Sequence, residues 1–116
     1  MNKEQLLEDV KFPLKWDSDA YKMYIFDADM NMIAEVDSKQ DATKVNHPFE
    51  KLIGDFKEVS VTNQNQRYFI YQGDFYDQEE GERIGLVRGW GRLQYKDNPE
   101  QRQDNIAEYI LIVLNS

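Results

Sequence analysis

Short segments rich in β-branched and aromatic residues alternate with clusters of turn-forming residues through the middle of this chain. Residues 21–26 and 32–36 flank the turn-forming sequence Asp-Ala-Asp-Met-Asn, which predicts a β-hairpin. Three further segments predict an antiparallel meander: residues 59–62, 67–76 and 83–95. This pattern predicts an antiparallel sheet of about five strands as the centre of the fold.

Helix signals lie on both sides of these strands. Residues 2–10 and 48–56 each carry apolar residues at helical spacing and predict short helices. Near the C-terminus, Asn98, Pro99 and Glu100 provide a cap, a first-turn proline and a first-turn acid. These signals predict a deeply packed C-terminal helix that reaches residue 114.

A terminal strand is the alternative for residues 109–113, because Tyr, Ile and Val favour β-structure. The helix-start signals favour the helix over this strand. The resulting prediction is an α+β fold, with a C-terminal helix packed on one face of the sheet and one or two short helices. A chain of 116 residues matches one domain, so we expect residues 1–116 to form a single unit.

Composition narrows the class of protein further. The chain is 41% hydrophobic, which favours a folded core, and it has no cysteine, which excludes disulfides and thiolate chemistry. The N-terminus lacks the features of a signal peptide, and the longest apolar run is too short to span a bilayer. We therefore expect a cytoplasmic protein with no membrane association.

The predicted strand 83–95 carries glycines on one face, at positions 85, 89 and 91. Glycine is costly inside a strand and usually marks the close approach of a bulky group or a β-bulge. The C-terminal helix is the expected neighbour of this face.

The opposite face of the same strand presents Arg88, Trp90 and Arg92. An arginine–aromatic–arginine row can stack on a base, hold a phosphate or anchor a protein partner. These three residues are the candidate binding site. The structural alternative is that Trp90 belongs to the core and the arginines pair with nearby acids.

Patterns that support catalysis are weak in this sequence. Residues 27–31 match the opening of a calcium loop, but Met32 stands at the glycine position and Ser38 at the position of the bidentate glutamate. His47 is the single histidine and precedes Pro48, where it can simply enter a helix. We expect a non-enzymatic protein with no catalytic residues, metal or cofactor. Carboxylate-based catalysis stays a minor alternative.

Four acids cluster in the turn that precedes the predicted strand 83–95: Asp77, Glu79, Glu80 and Glu82. We expect them to be exposed, where they would keep the protein soluble and disfavour pairing with other strands. The whole chain has a net charge of −8. This charge disfavours direct binding to nucleic acids or anionic membranes and favours a basic protein partner, although solubility alone can explain it.

Two segments resemble parts of small phage and prophage accessory proteins of uncharacterised activity. Residues 24–36 resemble the Asp-Ala-Asp-Gly-Asn hairpin of such proteins, with Met30 where the glycine usually stands. Residues 88–93, with the later Gln103-Asp104, Ile106, Tyr109-Ile110 and Leu114-Asn115, resemble their C-terminal ending. The resemblance implies a viral origin and a strand-then-helix C-terminal unit, and it assigns no residue a function.

Three functions follow from these observations as alternatives. The first is an accessory factor that inhibits a host nucleic-acid-handling or defence protein through its acidic surface. The second is a protein that sequesters a nucleotide or another small-molecule signal through Arg88, Trp90 and Arg92. The third is a structural or assembly protein with Trp90 at a subunit contact.

Overall fold

The computed structural model describes residues 3–18, 23–37, 47–58, 66–87 and 99–116, with the backbone alone for residues 99–104. The helices are α1 (Lys3–Asp9), a 3₁₀ helix (Pro48–Leu52) and α2 (Pro99–Leu114), and the strands are β1 (Lys15–Ser18), β2 (Met23–Phe26), β3 (Met32–Val36), β4 (Tyr68–Tyr71), β5 (Asp74–Asp77) and β6 (Glu82–Val87). Across these ranges the six strands form one antiparallel sheet in the order β1-β2-β3-β6-β5-β4. The predicted α+β fold is confirmed.

The described sheet has six strands instead of about five, for two reasons. Residues 67–76, predicted as one strand, form β4 and β5 joined by a tight turn at Gln72 and Gly73. Both turn residues have positive φ angles, 51° and 82°, as a two-residue hairpin turn requires. In addition, Lys15–Ser18 forms a strand that the sequence pattern did not predict, and it pairs with β2. Residues 59–62 and the predicted strand beyond Val87 lie outside the described residues.

The three helices among the described residues lie where the sequence predicts them, and the 3₁₀ helix is clearly shorter than predicted. The 3₁₀ helix ends at Leu52, because Ile53 is extended and Gly54, with φ 102°, forms a β-bridge with Leu14. The C-terminal segment is helical through Leu114, so the alternative of a terminal strand is wrong. Of the described helices, none combines the length and the apolar character needed to span a membrane.

The core lies between one face of the sheet and the helices. Its most deeply buried members come from every layer: Leu6, Leu14, Ile25, Ile33, Ala34, Phe49, Leu52, Phe75, Ile106, Ile110 and Leu114. In residues 105–114 of α2, Glu108 alone is exposed, which agrees with the predicted deep packing. Apolar burial between the sheet and the helices, with α2 at its centre, therefore stabilises this fold.

The glycine at position 85 meets a bulky neighbour, but the neighbour is not α2. The ring of Phe49, in the 3₁₀ helix, lies so close that a Cβ at Gly85 would be 2.1 Å from its Cε2 atom. Phe49 also makes an edge-to-face contact with Phe75, at 5.7 Å between ring centroids. The close approach expected at Gly85 is confirmed, and Phe49 makes it, although α2 also contacts β6. A β-bulge, the other feature that a glycine in a strand can mark, is also present: the register between β5 and β6 shifts between Phe75 and Tyr76.

His47 caps the helix that carries Phe49. Its Nδ1 accepts a hydrogen bond from the Phe49 backbone N–H at 3.2 Å, and its ring lies 6.3 Å from that of Trp16. Burial lowers the pKa of His47, against the opposing effects of a backbone hydrogen bond with Asp37 and the charge of Glu50. The neutral ring is thus the form that the fold needs, because a protonated Nδ1 has no lone pair to accept the bond.

We expect the free energy of unfolding to fall as the pH is lowered from 7.5 to 5.5. The pKa of His47 is lower in the folded state than its unfolded value of about 6.5, so the unfolded chain takes up the proton first. His47→Asn retains a capping acceptor and should remove this slope, while His47→Ala should cost about 1 kcal/mol at pH 7.5. Urea denaturation at the two pH values measures both effects. An unchanged slope in His47→Asn would assign the dependence to other groups.

Candidate protein-binding surface

The predicted binding residues Arg88, Trp90 and Arg92 lie outside the described residues, as do Gly89 and Gly91. Their role stays a prediction. The candidate surface therefore rests on other residues, which belong to strands β4, β5 and β6.

The cross-strand register places two rows of side chains on the face of the sheet opposite the helices. These rows are Phe69–Tyr76–Arg83 and Tyr71–Asp74–Leu86, read from β4 across β5 to β6. Phe75 and Gly85 are on the other face, toward the core. We call the surface made by Phe69, Tyr71, Asp74, Tyr76, Arg83 and Leu86 the open face.

Aromatic side chains dominate the β4 side of the open face. The rings of Phe69 and Tyr76 stack, with centroids 5.2 Å apart and planes inclined by 16°. Phe69 is 39% exposed and Tyr71 is 61% exposed. Exposed aromatic residues that lie next to one another are enriched at binding surfaces, since they offer large contact area with little loss of side-chain entropy.

Arg83 lies on the same face between two carboxylates. It donates a hydrogen bond to Asp37, and its Nη1 atom lies 3.7 Å from the nearer Asp74 oxygen. The bond to Asp37 raises the pKa of Arg83, which keeps the guanidinium charged. The open face thus already holds one arginine of the protein's own chain beside an aromatic ring.

The turn between β5 and β6 borders the open face and is acidic. Glu79 and Glu80 are exposed there, with about two thirds of each side chain accessible. Arg67 pairs with Glu79 at 3.2 Å, and the turn itself contributes more acids than Arg67 can balance. This turn presents its negative charge to solvent, as the sequence predicts.

Asp77 differs from its neighbours in this turn. Its side chain is 3% exposed and accepts two hydrogen bonds from Arg67, at 2.9 and 2.8 Å. It also accepts the backbone N–H of Glu79 at 2.9 Å. The bonds from Arg67 are the main reason that the pKa of Asp77 is lowered. The expectation that all four acids are exposed is therefore wrong for Asp77, which organises the turn, and for Glu82, which is half-buried.

The outer edge of β4 is closed at one point by Asn115, the residue that follows α2. The Asn115 side chain accepts the Tyr68 backbone N–H and donates to the Tyr68 carbonyl, both at 2.9 Å. A side-chain amide here takes the place of a neighbouring strand. An asparagine near the C-terminus carries no sequence signal for this role, because the contact joins residues 47 positions apart.

In the β2–β3 hairpin, whose sequence resembles the start of a calcium loop, the first carboxylate accepts hydrogen bonds from backbone N–H groups. Asp27 is fully buried, and its oxygens accept the N–H groups of Asp29, Asn31 and Lys11 at 3.0, 2.8 and 3.3 Å. Its role is to shape the turn, in which Met30 has a φ of 65°. In the part of the chain that the structure describes, no three metal-ligating side chains cluster.

Comparisons with known proteins add no family to this description. No family model matches the sequence, and neither the curated proteins nor the solved structures gave a match. The site must therefore be interpreted from its own chemistry.

Proposed function

We propose that this chain is a non-enzymatic binding protein that engages a basic surface of a protein partner. The observation that carries the proposal is the combination of exposed aromatic side chains, Phe69 and Tyr71, with the exposed acids Glu79 and Glu80 on adjoining parts of one sheet. Aromatic contacts supply affinity, and complementary charge supplies orientation and fast association.

The charge of the whole chain favours a particular class of partner. At a net charge of −8, the protein is attracted to basic surfaces over a distance of roughly one Debye length, about 8 Å at physiological salt. Proteins that bind nucleic acid carry such surfaces, since they must neutralise phosphates. An acidic protein bound there would exclude the nucleic acid. We therefore propose that the partner is a nucleic-acid-handling protein and that binding inhibits it.

The resemblance to phage accessory proteins extends this proposal to a biological setting. Such a setting would make the partner a host enzyme, including a nuclease that acts in defence against phage. Competition for a basic groove requires no catalytic residues in the inhibitor, which agrees with the weak catalytic patterns of the sequence.

A salt-dependent capture experiment tests the proposal. The tagged protein is incubated with a bacterial lysate, washed at low and at high salt, and the retained proteins are identified by mass spectrometry. We expect a nucleic-acid-handling enzyme that is retained at low salt and lost at high salt, because screening weakens charge complementarity.

A matched pair of variants locates the surface. Glu79→Gln with Glu80→Gln removes two exposed charges beside the open face, and Glu4→Gln with Glu8→Gln removes two exposed charges from α1. We expect the first pair to lower affinity for the captured partner about threefold to tenfold and the second to have a smaller effect. Equal effects of the two pairs, or capture that does not change with salt, would contradict the proposal.

The alternative of nucleotide binding depends on Arg88, Trp90 and Arg92, and no contact among the described residues favours it. The same holds for an assembly contact through Trp90. Both stay predictions of the sequence. A nucleotide that raises the melting temperature would favour the first of them, and a concentration-dependent oligomer would favour the second.

A further inference from the structure

We propose that the β4 side of the open face binds an extended, arginine-bearing segment of the partner protein. This inference rests on the proposed function and names the chemistry that the surface recognises. It depends on three features that converge on β4: the aromatic rings, a neighbouring carboxylate and the outer edge of the strand.

The aromatic rings suit a guanidinium group. The stacked pair of Phe69 and Tyr76 keeps two rings nearly parallel, and Tyr71 projects from the same strand with 61% of its surface exposed. A planar guanidinium can stack on such a ring and retain its hydrogen bonds in the ring plane, whereas an ammonium group is a compact, strongly hydrated charge. The platform should therefore distinguish arginine from lysine.

A carboxylate lies beside the platform. Asp74 is the cross-strand neighbour of Tyr71, and its side chain is 30% exposed. Arg83 approaches it from the β6 side at 3.7 Å, which is longer than a direct hydrogen bond. Arg83 thus shows that a guanidinium can lie beside both Asp74 and Tyr76. A second guanidinium, from the partner, would lie on the other side of Asp74, toward Tyr71.

The edge of β4 away from β5 is paired with no strand among the described residues, and it can orient a bound segment. Residues of a paired antiparallel strand direct their N–H and C=O groups alternately toward and away from the partner strand. Tyr68 directs both groups away from β5, to Asn115, so Ile70 directs its groups the same way. An extended segment that pairs at Ile70 places alternate side chains on the open face, next to Phe69 and Tyr71.

Charge decides between the candidate occupants. The described hairpins of residues 66–87 contain five acids and two arginines, so a second copy of the protein would bring like charges together at this edge. Nucleic acid would meet the same repulsion. A basic protein segment is the occupant that the charge of this surface favours.

Peptide binding tests the inference directly. The probe is a fluorescein-labelled eight-residue peptide of alternating arginine and threonine, and the readout is fluorescence anisotropy with the full-length protein at low salt. Two further peptides replace every arginine with lysine or with glutamate. We expect the arginine peptide to bind about fivefold more tightly than the lysine peptide, and the glutamate peptide not to bind.

Variants assign the binding to the platform. Tyr71→Ala removes an exposed ring and should weaken the arginine peptide about fivefold without changing the melting temperature by more than a few degrees. Leu7→Ala removes an exposed apolar side chain of α1 and should leave binding unchanged. Circular dichroism confirms that both variants are folded.

The outcomes separate this inference from the proposed function. Equal binding of the arginine and lysine peptides, with no effect of Tyr71→Ala, would overturn the inference and leave charge-driven binding intact. If neither cationic peptide binds but a basic protein is captured in a salt-sensitive way, the inference is likewise overturned and the proposed function stands. A dimer that Tyr71→Ala dissociates would identify a second copy as the occupant and would also overturn it. Failure of both peptide binding and capture would reject the proposed function itself.

Discussion

Gly85→Ala is expected to lower the free energy of unfolding by about 3 kcal/mol. The added Cβ would lie 2.1 Å from the Phe49 ring and 2.7 Å from the backbone oxygen of Glu35. Alanine is favoured over glycine in a strand by up to about 1 kcal/mol, so the clash must outweigh an intrinsic gain. The backbone oxygen belongs to the neighbouring strand β3 and can move only if the sheet distorts. Urea denaturation of the purified variant measures the loss.

Two further variants show whether the clash is the cause. Gly81→Ala tests a glycine with open space around it, and its φ of 68° should cost about 1 kcal/mol by strain alone. Phe49→Leu in the Gly85→Ala background shrinks the side chain that collides, so the double variant should lose less than the sum of the two single variants. Strict additivity of the two changes would show that Phe49 does not cause the effect.

Asp77→Asn is expected to destabilise the protein by about 2 to 3 kcal/mol. The substitution removes the charge that binds Arg67 through two hydrogen bonds and weakens the acceptor for the turn N–H groups. Breaking a fully buried ion pair costs more, but about a third of the Arg67 side chain is exposed and water can solvate it in the variant. Thermal and urea denaturation at pH 7 measure the difference.

The same substitution should change the response of the protein to acid. The pKa of Asp77 is lower in the folded state than its unfolded value of about 3.9, so its stabilising effect is complete above that value and is lost as the pH falls through the folded pKa. The stability of Asp77→Asn should therefore fall less steeply below pH 4 than that of the natural sequence. Glu80→Gln is the control, since this exposed acid should change stability by less than about 0.5 kcal/mol. Matching acid profiles of the natural sequence and Asp77→Asn would contradict the assignment.

Local signals in the sequence were sufficient to predict much of the fold. The helix α2 begins at the predicted proline and ends at the predicted residue, because its start signals and apolar stripe both act within a few turns. The hairpin of β2 and β3 also follows its sequence pattern. The sequence pattern did not predict the turn at Gln72 and Gly73, because strongly β-forming residues lie on both sides of it and a single Gln-Gly pair is a weak turn signal.

The residues of the candidate site were harder to predict from the sequence. Strand alternation puts Phe69 and Tyr71 on one face of β4, but their exposure depends on where the helices pack. Asp77 is an acid in the same turn as the exposed Glu79 and Glu80, and its burial depends on the position of Arg67. The predicted residues Arg88, Trp90 and Arg92 are outside the described ranges, so the structure leaves that prediction as it stood.

The sequence by itself determined the element types, the antiparallel sheet and the acidic character of this protein, since each depends on composition or on the spacing of nearby residues. The tertiary structure alone decided which residue fills the space above Gly85, which acid of the β5–β6 turn is buried and which side chain closes the edge of β4. Each of these depends on a contact between residues distant in the chain: Phe49 with Gly85, Arg67 with Asp77 across a hairpin, and Asn115 with Tyr68. Contacts of this kind are selected by the packing of whole elements, and local propensity does not encode which partners meet.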